Sequence, residues 1–202
     1  MPLMLLILDP STAATDLTAG RLACIKNSCG GVLGPWGYAR TRHLRLGAGA
    51  TQPHTPRRAR CRSCSRTHVL VPTCSYPHRP DSTDTVGAAL LAAAGGLGHR
   101  RVAAHVGLPA TTVRGWLRRA RANSETIRVN ATIAAHALDP LLAPIEAKGT
   151  PFTDMVESVG VAVAAHIRRL GPGGPPWQLA LAITTGGILA SRPHQIRWYP
   201  LV

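Results

Sequence analysis

The sequence predicts a mainly α protein with a small β module, and three observations predict it. Two pairs of cysteines, Cys24 with Cys29 and Cys61 with Cys64, bracket a stretch of alternating residues. Residues 99–118 hold two helix-like runs separated by Gly107. Past residue 123 come long apolar runs at helical spacing. The expected order is a small β zinc-ribbon, then a three-helix helix-turn-helix unit, then a C-terminal helical region. The expected divisions are 1–22 (a strand and a helix), 23–72 (ribbon), 73–82 (linker), 83–123 (helix-turn-helix) and 124–202 (C-terminal helices).

The chain opens with an apolar run over residues 4–8 that Asp9 ends. It is too short for a signal segment or a spanning helix, so it reads as a short buried strand. Residues 11–22 carry a helix signal, with Ser11 or Thr12 as cap and Gly20 as stop.

Cys24 and Cys29 are separated by four residues and followed by Gly30; Cys61 and Cys64 are separated by two. Paired thiols at such gaps read as metal knuckles rather than disulfides, in keeping with a reducing, cytosolic setting. Two knuckles on hairpins holding one Zn²⁺ make a ribbon, and the metal supplies folding free energy that so small a β module lacks. The zinc is expected to be structural, because a catalytic site needs an open position and a nearby base, and no Glu lies between the knuckles. Of the histidines nearby, His68 is the best substitute ligand, but four cysteines complete a tetrahedron, so His43, His54 and His68 read as surface or groove residues. Cys74 reads as a filler or a free thiol.

Between the knuckles, Trp36 to Tyr38 and the alternating residues 41–46 suit strands, and Gly47 to Gly49 suits a turn. Trp36 and Tyr38 can stack on bases, though packing against the ribbon is the expected role. Arg57, Arg58 and Arg60, with Arg62 and Arg66 beyond, make the densest basic run, suited to phosphates. Residues 71–81 are too rich in proline for a helix. Asp81, Ser82 or Thr83 then caps a helix reaching Ala94, which Gly95 and Gly96 stop.

In residues 99–118, Val102, Ala103 and Val106 give a first helix one apolar face. Gly107 can turn left-handed at little cost, and Pro109 suits a helix entrance. Val113, Trp116 and Leu117 follow at helical spacing and point back to the first helix. The outer side carries Thr111, Thr112, Arg114, Arg118 and Arg121, with Arg100 at the start of the first helix. In units so arranged the second helix enters the major groove of double-stranded DNA. Residues 124–138, 151–170 and 176–189 read as three more helices, able to cover this unit or to pair it with another copy. The tail from Arg192 reads as irregular.

Charge supports the same partner. The 202 residues carry 23 Lys and Arg against 9 Asp and Glu, a formal net charge of +14. Such an excess attracts polyanions. High genomic G+C raises arginine generally but does not explain so few acids. Aromatic residues are only 4%, so the core is expected to be built from small aliphatic side chains and to be modest. No membrane segment is expected.

The cysteine pairs with Leu17, Gly20 and Leu22, then Pro35 to Arg40, Arg57 to Cys64, Thr67 to Leu70, Gly98 to Ala103 and Thr112 to Arg118, resemble a bacterial family that joins a zinc-ribbon to a helix-turn-helix, a domain of unknown function. The match covers about residues 17–121, with Pro176 to Ala180 more loosely similar. Ribbon followed by helix-turn-helix is also similar to the DNA-binding front end of insertion-sequence transposases. The resemblance implies DNA binding linked to mobile elements, and the expected location is the cytoplasm, at the bacterial nucleoid. The first knuckle departs from the family's shorter, proline-bearing gap.

An enzyme is not expected. Beyond the helix-turn-helix only Glu125, Asp139, Glu146, Asp154 and Glu157 are acidic, with no strands evident to present a metal-binding triad. Two readings remain open. One is a sequence-specific DNA-binding protein, either a transcription regulator or an accessory to a transposase. The other is an interaction module whose ribbon docks on polymerase or a transposase.

Overall fold

The computed structural model describes residues 3–190 and 196–198. The described residues form six α-helices and a small sheet region. In chain order they form β1 (Leu3–Ile7), α1 (Pro10–Thr18), β2 (Leu33–Tyr38), β3 (Arg42–Gly47), β4 (Ala50–His54), β5 (Arg57–Cys61) and β6 (Thr67–Pro72). Then come α2 (Thr83–Ala94), α3 (His99–Val106), α4 (Ala110–Leu138), α5 (Pro151–Leu170), α6 (Pro176–Ile183), a 3-10 turn (Gly187–Leu189) and β7 (Ile196–Trp198).

Five strands make one sheet in the order β2-β5-β6-β1-β7. The β2/β5 and β5/β6 pairs are antiparallel, whereas β1 pairs in parallel with both β6 and β7. The opening apolar run is thus an interior strand, as its lack of charge allows. Part of the tail expected to be irregular is β7; the remainder, residues 192–195 and 199–202, lies outside the described residues. β3 and β4 form a separate hairpin turned through Gly47, Ala48 and Gly49, all at positive φ.

Side-chain alternation divides the sheet's two faces. Leu5, Ile7, Leu33, Ala59, Cys61 and Leu70 pack with Leu17 of α1 and with Leu22. The opposite face, with Met4, Leu6, Val69 and Val71, meets the helices. That helical core also holds Val86, Leu90, Val102, Val113, Trp116, Met155, Val159 and Leu179. Where α2 crosses α6, a Cβ on Gly87 would overlap the Trp177 ring, so only glycine admits so close an approach.

Helix boundaries follow their caps. The α1 cap is Asp9, not Ser11 or Thr12: its carboxylate accepts from both of their backbone N–H groups, and Pro10 takes the first turn. Ser82 caps α2, and Thr150 with Thr153 forms a reciprocal cap on α5. α6 ends at Ile183, short of the expected 189, and its continuation tightens into the 3-10 turn.

The chief difference from expectation is α4. Two helices were expected to meet near residue 123, yet one helix of 29 residues runs through. Ala120, Ser124, Ile127, Ala131 and Ala135 continue the buried stripe begun by Val113, Trp116 and Leu117. The Asn123 amide donates to the carbonyls of Gly187, Ile188 and Ala190, holding the 3-10 turn against the helix.

The proline-rich segment before α2 is not a free tether. Tyr76 is buried, and its hydroxyl donates to the Gly186 carbonyl and accepts from the Leu189 N–H. Among the described residues, no helix is long and apolar enough to cross a membrane.

Candidate metal centre and nucleic-acid interface

The two cysteine pairs converge. The sulfurs of Cys24, Cys29, Cys61 and Cys64 all lie within 4.8 Å of one another. Cys24 Sγ stands 3.8 Å from Cys64 Sγ, and Cys29 Sγ stands 3.6 Å from Cys61 Sγ. A tetrahedral ion with metal–sulfur bonds of about 2.3 Å sets its ligands about 3.8 Å apart. The four sulfurs therefore fit one metal ion.

Two tight turns present these ligands. The first returns to the sheet through Cys24 N–H on the Gly31 carbonyl, with Ser28 and Gly30 at positive φ. The second has Ser65 N–H on the Cys61 carbonyl, with Ser65 at positive φ. Gly30 turns the backbone as expected, and Gly31 leaves the room that Cys61 and Ser63 fill. A Cβ there would lie 2.7 Å from Cys61 Sγ and 2.5 Å from Ser63 Oγ.

The thiols are not equivalent. Burial pushes Cys24 up to about 12. Burial would push Cys61 up as well, but backbone N–H groups of Cys64 and Ser63 outweigh it and hold that thiol below the usual cysteine value. Uptake of a metal here displaces the protons that the thiols carry, so it is favoured as pH rises.

His68, expected at the surface, is fully buried. Its Nε2 lies 3.5 Å from Cys24 Sγ, and Nδ1 lies 3.2 Å from the Arg66 carbonyl. It supports a sulfur from behind, as an outer partner orienting a ligand. Its signal was its place at the inward phase of β6, paired with the buried Ala59. His43 is exposed and His54 half-buried, neither in the cluster. Cys74 is half-buried and also stands outside it.

The expected basic run divides between two faces. Cross-strand register pairs Tyr38 with Arg57, Gly34 with Arg60 and Arg58 with Val69. Strand alternation therefore separates Arg58 and Arg60 from Arg57. Trp36 and Tyr38, expected to pack inward, are 48% and 57% exposed. Arg60 lies over the Trp36 ring at 4.6 Å and Arg57 over the Tyr38 ring at 5.2 Å.

On α3 and α4, Val102, Ala103, Val106, Val113, Trp116 and Leu117 are buried, and Trp116 is 1% exposed. Gly107 closes α3 in the left-handed region. Arg100, Thr111, Arg114, Arg118 and Arg121 are exposed, and Thr112 is half-buried. Arg121 lies over the Phe152 ring of α5 at 5.5 Å, one turn past the others and tied to a neighbouring helix. The hairpin of β3 and β4 sits behind the α3–α4 turn, with Ala48 N–H donating to the Val106 carbonyl.

No protein-family model matches the chain, and no curated protein or solved structure does.

Proposed function

We propose that this chain is a sequence-specific double-stranded DNA-binding protein of the bacterial nucleoid, acting as a transcription regulator or as an accessory to a transposase. In this reading α3, its turn and the start of α4 act as a helix-turn-helix. The four cysteines hold a structural Zn²⁺ at the heart of a ribbon, and no bond is broken.

One observation carries the reading. On the first turns of α4, Thr111, Arg114 and Arg118 face solvent while Val113, Trp116 and Leu117 are buried. A helix so anchored offers a rigid cationic ridge of a width that a major groove admits. The metal reading rests on the closed set of four sulfurs, since thiolates favour Zn²⁺ and leave no position open for a reactant. Arg58 and Arg60 suit phosphate contact at a neighbouring point on the backbone.

Selection from a random duplex pool, with the zinc-loaded chain at fixed salt, tests the proposal. A motif should be enriched, and Arg114→Ala should relax preference at one position by about 1–3 kcal/mol. Weak binding without a motif, or selectivity unchanged in Arg114→Ala, overturns it and favours an interaction module for a protein partner.

A further inference from the structure

The outer half of the sheet carries a half-exposed indole, Trp36, beside its arginines, and the duplex reading, which takes only phosphate contacts from Arg58 and Arg60, gives that ring no role. Arg58 and Arg60 alternate along β5, so they share a face about 6.6–6.8 Å apart, and Arg62 follows one residue past the strand's end. Arg62 continues the strand pairing, its N–H donating to the Val32 carbonyl. On β2, Gly34 lies opposite Arg60, and a Cβ on Gly34 would sit 3.3 Å from Arg62 Nε. The arginine thus lies across a residue with no side chain.

Trp36 belongs to the same face. It follows Pro35, which is paired with Ala59, and it carries Arg60 over its ring. Toward β6 and β1 this face is covered, because Val69 and Met4 pack on the helical core. Toward β5 and β2 it is open, at Trp36 and at the half-buried Arg58 and Arg60. Between residues 17 and 80 the chain holds eleven Lys and Arg and no Asp or Glu.

A large indole held half-exposed beside a row of cations has a definite ligand chemistry. Duplex DNA hides its base faces and offers only phosphates and groove edges. An unpaired strand offers flat bases to stack and a phosphate at each step. We infer that the face formed by Trp36, Arg58, Arg60 and Arg62 binds single-stranded nucleic acid, with a base stacked on Trp36 and its flanking phosphates on the arginines. The site is sequence-tolerant, because every base has a π face. The Arg60 guanidinium covers one face of the ring, so the base stacks on the part of this 48% exposed side chain that is left open, with the cation close by for a phosphate. The chain then has two sites, a duplex ridge on α4 and a strand-binding face on the sheet, suited together to a junction where a duplex opens.

The test uses the full zinc-loaded chain with a fluorescein-labelled oligo-dT of about 12 nucleotides, and a mixed-sequence duplex of the same length, at about 0.1 M salt. Trp36→Ala should weaken oligo-dT binding by roughly tenfold or more while changing the duplex by less than about twofold. Trp36→Phe, which keeps a π face, should retain most of the oligo-dT affinity. Arg114→Ala should show the opposite pattern, so failure here and failure of the duplex reading are distinguishable. Indole fluorescence gives a second readout that needs no destabilising variant. Oligo-dT should quench the wild type, and that quench should be lost in Trp36→Phe. Oligo-dT binding unchanged in Trp36→Ala, equal weakening of strand and duplex, or a quench that persists in Trp36→Phe would overturn the inference.

Discussion

Arg45 of β3 places Nε at 2.8 Å and Nη2 at 2.6 Å from one carboxylate oxygen of Asp81, just before α2. The Asp81 side chain is 2% exposed. Backbone bonds run beside the pair, with Arg45 N–H on the Pro80 carbonyl and Ser82 N–H on the Arg45 carbonyl. Leu44 is buried next to it, and Thr85 Oγ1 donates to the Leu46 carbonyl. The hairpin is thereby fastened to the entrance of the helical half.

Removing one partner of a buried pair leaves the other charged and dry. Arg45→Ala should destabilise the fold by about 3 kcal/mol, the low end of that class because Arg79 also acts on Asp81. In an Asp81→Asn background the same change should cost distinctly less. Urea denaturation of the four combinations measures the coupling. Burial raises the Asp81 carboxyl, against the pull of Arg45. An acid raised in the folded state costs stability while ionised, and that cost is relieved as pH falls. The deficit of Arg45→Ala should therefore narrow on acidification, and a deficit that widens would contradict the pairing.

Each cysteine pair was legible because knuckle spacing is a local rule, with thiols two to four residues apart on a turn able to share one ion; the meeting of the two pairs is tertiary, made by Cys24 with Cys64 and Cys29 with Cys61. The α3–α4 turn was legible for the same reason, since Gly107 and Pro109 each act on their own backbone. The parallel β1–β6 and β1–β7 pairings were not legible, because five apolar residues carry no mark of a partner over sixty positions away. The unbroken α4 was legible in part. Falling charge after Asn123 suggested a boundary, but Ala120, Ser124, Ile127 and Ala131 keep helical spacing through it. Asn123, an ordinary sign of a helix end, is held mid-helix by three carbonyls brought from the C-terminal segment. The inward place of His68 is not marked by its knuckle, where a histidine suggests water or metal; only its strand phase points it inward.

Metal removal tests the cysteine cluster. The chain should hold one ion, and replacement by Co²⁺ should give the absorption of a tetrahedral tetrathiolate. A thiol reagent should reach only Cys74 in the loaded protein, and slowly, because burial pushes that thiol up. Chelation should expose the other four of the five cysteines. Loss of ordered β structure should accompany it, since the core on that sheet face is built around Cys24 and Cys61 themselves. Ready reaction of all five thiols in loaded protein would exclude the site.

Acid should loosen α1. Hydrogen bonds to Asp9, first from the Thr12 hydroxyl and then from Ser11, hold its carboxyl at about 2. A carboxyl depressed in the folded state stabilises above its unfolded value of about 3.9, and that stabilisation is lost as pH falls toward 2. Asp9→Ala should cost about 1 kcal/mol at neutral pH and progressively less below about pH 4. Denaturation midpoints of the two proteins across that range give the check, and parallel curves would count against the cap.

Two glycine-to-alanine changes should act with opposite signs. Gly107 sits at φ +65°, and a Cβ there would lie 2.6 Å from Ala48 Cα and overlap its backbone nitrogen. The left-handed backbone alone costs an alanine about 1–2 kcal/mol, and the hairpin tip would have to retreat from the turn. Gly107→Ala should therefore destabilise by about 2–4 kcal/mol. Gly160 lies within α5, on an exposed position, with nothing within 4 Å of a Cβ. There the helix gains from reduced backbone freedom, so Gly160→Ala should stabilise by up to about 1 kcal/mol. Melting curves for both variants decide the matter: a neutral Gly107→Ala would mean that the hairpin tip does not press on the α3–α4 turn.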